Sequence, residues 1–189
     1  MTRLRRPFIP QRRRVFLGCE GESERGYGAL LRRLIEARGL HVHLDPVLLR
    51  PGGGDPLALV ERAQRLITED ERKRDEPYTV RAILLDSDRL GQSPVRDSRV
   101  NAAADAARLR LIWQQPCHEA LLLRHIMGCS DLRPTTPDLA MTELCKRWPD
   151  YVKGLSEMQL AGRIGERELR QVLRVESELA GFLSDLGFV

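Results

Sequence analysis

Short, almost wholly apolar runs alternate with longer segments that carry the amphipathic spacing of helices. Val15–Cys19, Val42–Leu49, Val80–Leu85 and Leu111–Trp113 are the four apolar runs. They show no clean polar alternation, as expected of strands covered on both faces. Pro46 distorts or splits the second of them. Helices are predicted over Glu24–Ala37 (ending at Gly39), from Asp55 towards Asp70, over Asp97–Leu109 and from about Cys117 to Met127. Ser23 is a candidate N-cap for the first and Asp55 for the second, with Pro56 in its first turn. The polar stretch Glu69–Pro77 reads as a loop, as does Asp86–Pro94, and Pro51-Gly52-Gly53-Gly54 is a break. The order β-α-β-α-β-α-β-α predicts a parallel sheet with helices on both faces.

After Gly128 the texture changes. Pro134, Pro137 and Pro149 punctuate helical pieces, and Glu166–Leu183 reads as one long amphipathic helix. The expected organisation is a basic arm (1–14), an α/β core (15–128) and a C-terminal helical appendage (129–189). Leu173, Leu179, Phe182 and Leu183 are expected to pack on the core.

Composition narrows this only slightly. The chain has 189 residues, 42% hydrophobic and 31% charged, as in an ordinary soluble globular protein. No run approaches the roughly 18 apolar residues of a membrane span. Glu20 interrupts the run that begins at Val15, which argues against a signal peptide, so a cytoplasmic location without membrane attachment is expected. The four cysteines (Cys19, Cys117, Cys129, Cys145) form no C-x-x-C pair and read as small hydrophobes. The net charge of +4 is uneven: six arginines and no acid fall in residues 1–14. Such an arm suits a phosphate backbone. The competing account is general arginine enrichment, since only three of the 31 basic residues are lysine.

The chemistry points to the strand ends, where open parallel sheets place their sites. Glu20 follows the first strand and Asp86 the third. In Asp86-Ser87-Asp88 the two carboxylates stand two residues apart, so on extended backbone they face one side. Gly91 then turns the chain away. Such acids suit Mg²⁺, which keeps several waters and takes one or two carboxylates together with substrate phosphate. The alternative is that Asp86 and Asp88 cap turns and Glu20 is a solvated loop acid. Arg25 on the first helix is near enough to contact phosphate, whereas Arg32 and Arg33 read as a solvated face. Lys153 reaches the site only if the C-terminal segment folds back. His118 and His125, seven apart, share a helical face and read as packing or loop residues. Gly52-Gly53-Gly54 lacks the Lys-Ser/Thr of a P-loop, so this chain is not expected to hydrolyse ATP.

At these residues the chain resembles the Toprim superfamily, and within it the RloB-like proteins. Val15–Glu24 is similar to the Toprim opening, an apolar strand followed by E-G-x-x-E, and Asp86–Gly91 to its D-x-D-x-x-G signature. Pro51–Pro56, Pro116–His125 and Tyr151-Val152-Lys153-Gly154 look RloB-like. The segment departs from the family's N-P-C-F-E-x-W at Gln115, His118 and Leu121. The resemblance covers about residues 14–155. It implies a Toprim-like (Rossmann-like) fold and kinship with nucleases of the overcoming-lysogenization-defect type. It makes Glu20 a metal-linked general acid/base, Asp86 and Asp88 metal ligands, and Glu24 and Glu119 accessory acids, with Mg²⁺ or Mn²⁺ as cofactor. The implied function is cleavage of DNA or RNA in bacterial phage defence or a restriction-linked system, often beside an ABC-type ATPase. A Toprim-fold binding module docking on such an ATPase or on nucleic acid, and phosphodiester chemistry on tRNA or nucleotides, are the alternatives.

Overall fold

The computed structural model describes residues 11–49 and 54–189, so the Pro51-Gly52-Gly53 break and the first ten residues of the basic arm lie outside the described residues. Four strands form one parallel sheet: β1 (Arg13–Cys19), β2 (Val42–Leu48), β3 (Val80–Asp86) and β4 (Arg110–Gln114), in the order β2-β1-β3-β4. β1 is central, and Val15 to Cys19 are all buried. That is why its sequence is apolar without alternation. Pro46 neither ends nor splits β2. It pairs with Leu17 in mid-strand, which is tolerated because β2 is an edge strand and the missing N–H interrupts no inner ladder.

Helices α1 (Glu22–Ala37), α2 (Pro56–Arg74), α3 (Pro94–Ala106) and α4 (His118–His125) alternate with the strands. The cap of α1 is Gly21, not Ser23, and the Ser23 hydroxyl accepts the Gly154 N–H at 2.9 Å. Asp55 does cap α2, accepting from the Leu57 N–H. That helix continues to Arg74, six residues into the stretch expected as a loop, because its polar residues have charged partners. Asp70 pairs with Arg14 and with Arg74, and Glu71 takes both Arg81 (2.8 Å) and the Tyr78 N–H (2.7 Å). α3 begins and ends about three residues earlier than expected, with Pro94 in its first turn.

Arg14, counted with the arm, belongs to β1. It is 5% exposed, pairs with Asp70 and Asp45, and lies over the Tyr78 ring. Its role is structural.

Two buried layers sandwich the sheet. On one face α2 and α3 cover Phe16, Ile83 and Leu85 with Leu59, Val60, Ile67 and Val100. On the other, α1 packs over Leu17, Leu44 and Leu84 together with residues far along the chain. Those residues come from α4, α5 (Pro137–Arg147), α6 (Glu157–Ala161), α7 (Glu166–Val172) and α8 (Ser177–Asp185) and from the segments between them. Leu144, Trp148, Tyr151, Leu160, Leu169, Phe182 and Phe188 share one cluster with Val15 and Leu17, so the C-terminal third is a layer of this core. Leu179, Phe182 and Leu183 are buried and Leu173 packs against them. The expected single helix over 166–183 is two helices, broken at 173–176, which brings Glu176 onto the buried Arg124 at 2.5 Å. Among the described residues no helix is long and apolar enough to cross a membrane.

Candidate functional site

The carboxyl ends of β1, β3 and β4 lie side by side, Cys19 opposite Leu84 and Asp86 opposite Gln114. Glu20 therefore leaves β1 beside the strand that delivers Asp86. Ser87 anchors the next turn: its N–H is shared between the carbonyls of Gln114 (3.1 Å) and Pro116 (3.0 Å). The Leu90 N–H closes on Ser87, and the Gly91 N–H on the Asp97 carboxylate at 2.9 Å. Gly91 has φ +84°, the left-handed conformation that favours glycine. Asp88 is exposed on this turn while Asp86 is mostly buried.

Asp86 is the electrostatic centre. Burial, and then the carboxylates of Glu24, Glu20, Glu119 and Asp88, push its pKa up to about 8. Its Oδ1 is buried without a hydrogen-bond partner. Glu20 is also raised, by burial and by Glu24, with Arg89 opposing. Gly54, φ +66°, comes so close that a Cβ there would stand 3.3 Å from Glu20 Oε1 and 3.4 Å from Arg89 Cζ. The glycine-rich break thus ends against the site.

Glu24 is 6% exposed and Glu119 4%. One Glu24 oxygen accepts the Gly21 N–H at 3.0 Å, which makes it part of the α1 cap. The other lies 4.0 Å from His118 Nδ1. Glu119, in the first turn of α4, accepts from the Tyr151 hydroxyl and pairs with Lys153, both at 3.3 Å. Burial works against the Glu119 carboxylate, but Lys153, its own backbone amide and His118 hold its pKa below the usual value. The C-terminal segment does fold back: Lys153 reaches Glu119 with its side chain still 69% exposed. Arg25 is exposed and bound to Glu22 at 2.8 Å.

Two polar side chains that the sequence did not mark as site residues also belong here. Gln114, in register with Asp86, gives its amide N–H to His118 Nδ1 at 2.8 Å. Both are buried, and Gln114 Oε1 and His118 Nε2 have no partner. Burial holds His118 below its ordinary pKa. His118 is therefore no loop residue, and it contacts Tyr27, whose hydroxyl meets His125 Nε2 at 3.1 Å. The available signal was position: a glutamine ending the strand next to Asp86.

The donors around Asp86 are hard carboxylate oxygens, which suits Mg²⁺ or Mn²⁺. An unpartnered Asp86 oxygen among like charges is relieved by a cation. Among the described residues, however, no three His, Cys, Asp or Glu side chains stand ready as a ligand set. The donor chemistry fits a divalent cation, and the side chains must turn to enclose one. Cys19, Cys117 and Cys129 are buried free thiols and Cys145 is partly buried.

No protein-family model, curated protein or solved structure matches this chain.

Proposed function

We propose that this chain is a metal-dependent hydrolase of phosphodiester bonds in DNA or RNA, built on a Toprim-like fold and acting in bacterial phage defence or a restriction-linked system. The observation that carries the reading is Asp86: a buried, unpartnered carboxylate oxygen at a strand end, with Glu20, Glu24, Glu119 and Asp88 acting on it. Four of these acids come from separate elements or their ends, namely β1, α1, β3 and α4. A structural surface does not need such convergence, because burying like charges together costs stability.

In this reading Glu20, Asp86 and Asp88 hold Mg²⁺ or Mn²⁺. When bound, the ion readies water for attack and stabilises charge on the leaving oxygen. Glu20, with its raised pKa, is suited to exchange a proton with the attacking water. Glu24 and Glu119 hold the negative field that favours a cation. Lys153 and Arg25, at the exposed rim, supply positive charge to the phosphates on either side.

The test is incubation of the purified full chain with DNA, tRNA and total RNA in Mg²⁺, Mn²⁺ or chelator, beside Glu20→Ala and Asp86→Ala. Metal-dependent cleavage abolished by both substitutions is the expected result. Cleavage that survives both sinks the assignment.

The lack of a ready-made three-ligand set among the described residues supports one other reading, a Toprim-fold module that docks on an ABC-type ATPase or nucleic acid without catalysis. It predicts nucleic-acid or ATPase binding unaffected by chelator.

A further inference from the structure

Arg124 is the largest fully buried side chain among the described residues, with 0% exposure. A buried guanidinium is costly unless its contacts are specific, and each of those seen here leads towards the acid site or the C-terminal helices. Nη1 donates to the Gln115 carbonyl at 3.0 Å. Gln115 sits between Gln114 and Pro116, the two residues whose carbonyls share the Ser87 N–H. Ser87 in turn separates Asp86 from Asp88. On the opposite side, Arg124 is paired with Glu176 at 2.5 Å, at the break between α7 and α8. Gln171 of α7 donates to the carbonyls of Arg124 and Ile126, each at 3.3 Å.

We propose that Arg124 is a positioning residue: held by Glu176, it fixes the Gln114–Pro116 carbonyls and through them the Asp86–Asp88 turn. This rests on the reading of that turn as the metal-binding site. Arg124 touches none of the acids around Asp86, so its effect is transmitted through one backbone segment. The turn at 173–176, where the expected long helix breaks, carries Glu176 onto Arg124. A cavity of about 150 Å³ adjoins the pair, lined by Arg133 and Glu178 as well. Arg124→Lys keeps the charge but cannot hold Gln115 and Glu176 with a planar guanidinium.

The experiment uses the full chain and two substitutions, Arg124→Lys and Glu176→Gln, with Phe182→Leu as a control that weakens α8 packing without touching Arg124. Amide hydrogen exchange at Ser87 is read by NMR, and Mn²⁺ affinity by calorimetry. At matched global stability, the expected result is Ser87 exchange about tenfold faster than in the control. Mn²⁺ binding should be weaker by about tenfold, the size typical of outer-shell changes. If Arg124→Lys does not fold, Glu176→Gln decides alone. Ser87 exchange at the control rate in every folded variant overturns the proposal. A wild-type chain that binds no Mn²⁺ removes the metal reading, while Ser87 exchange still decides whether Arg124 positions the turn.

Discussion

Replacing Asp86 by asparagine should stabilise the metal-free protein, and by an amount that depends on pH. An aspartate ionises at 3.8 when unperturbed and at about 8 in this site, where burial and the neighbouring carboxylates oppose its charge. Between those values the native chain holds a proton that the unfolded chain has released, so folding takes up a proton. Stability is therefore lost as pH rises from 3.8 towards 8, and the loss is constant above that. The slope is about 1.4 kcal/mol per pH unit for one proton. At pH 5 the cost is roughly 1.5 kcal/mol and at pH 7 roughly 4 kcal/mol. An asparagine side chain keeps the shape without the ionisation, so Asp86→Asn should recover these amounts. Comparing the two proteins at each pH cancels the contributions of other groups to first order. Urea unfolding in chelator between pH 5 and 8 measures the difference. On the proposed metal reading, saturating Mg²⁺ should reverse it, since the ion would stabilise the wild type and not the variant. A stability difference that stays flat across that pH range would refute the reasoning, whatever its size.

Arg14→Met should destabilise the fold by roughly 3 kcal/mol, because it strips a buried guanidinium from carboxylates that remain in place. Burial alone would raise Asp70, yet Arg14, Arg74 and Tyr78 hold it at about 2. The stability this gives is present above pH 3.8 and lost as pH falls towards 2, so acid titration of the variant by circular dichroism should show that component reduced, with Arg74 and Tyr78 still holding Asp70. Gly26→Ala should lower the melting temperature sharply. A Cβ there would collide with the Leu155 carbonyl oxygen, and limited proteolysis near Tyr151–Ser156 should report release of the segment that carries Lys153.

The sheet was legible because β1 and β3 have only one physical explanation. Val15–Cys19 and Ala82–Leu85 are runs of five and four apolar residues that fit strands buried on both faces, and each is followed at once by an acid. What escaped was set by partners distant in sequence. Within Glu69–Pro77 the local signal is only the Asp70–Arg74 pair, four residues apart. Arg14 and Arg81, on two strands, neutralise Asp70 and Glu71 and let α2 continue to Arg74. Leu173–Glu176 contains no proline or glycine to mark the break after α7. The apolar spacing survives across it, and the contacts at the turn are distant in sequence: Glu176 pairs with Arg124 and Glu178 accepts the Trp113 N–H. Glu24 and Glu119 entered through resemblance. Gln114 went unweighed because a neutral polar side chain at a strand end carries no charge pattern to flag it, and His118 was set aside because its seven-residue spacing from His125 does not suit a ligand pair.

The positions of the acids also divide the site in two. Asp86 follows Ala82 and Leu84 on the face that α1 covers, the face on which Glu24, Glu119, Gln114 and His118 are buried. Glu20, next after Cys19, instead stands beside Gly54 and Arg89, at the end of the sheet where α2 begins. Asp88 is exposed between them. Ligands on one rigid strand would give fixed geometry. Here the three acids come from the loop ends of two strands, with different burial and different neighbours, so on the proposed reading the set would close only around a bound cation. The same separation fits the lack of a ready-made ligand group among the described residues. It also assigns a physical reason for holding Ser87 by two carbonyls. On the proposed reading, the turn beneath Asp86 is held in place while the exposed Asp88 adjusts.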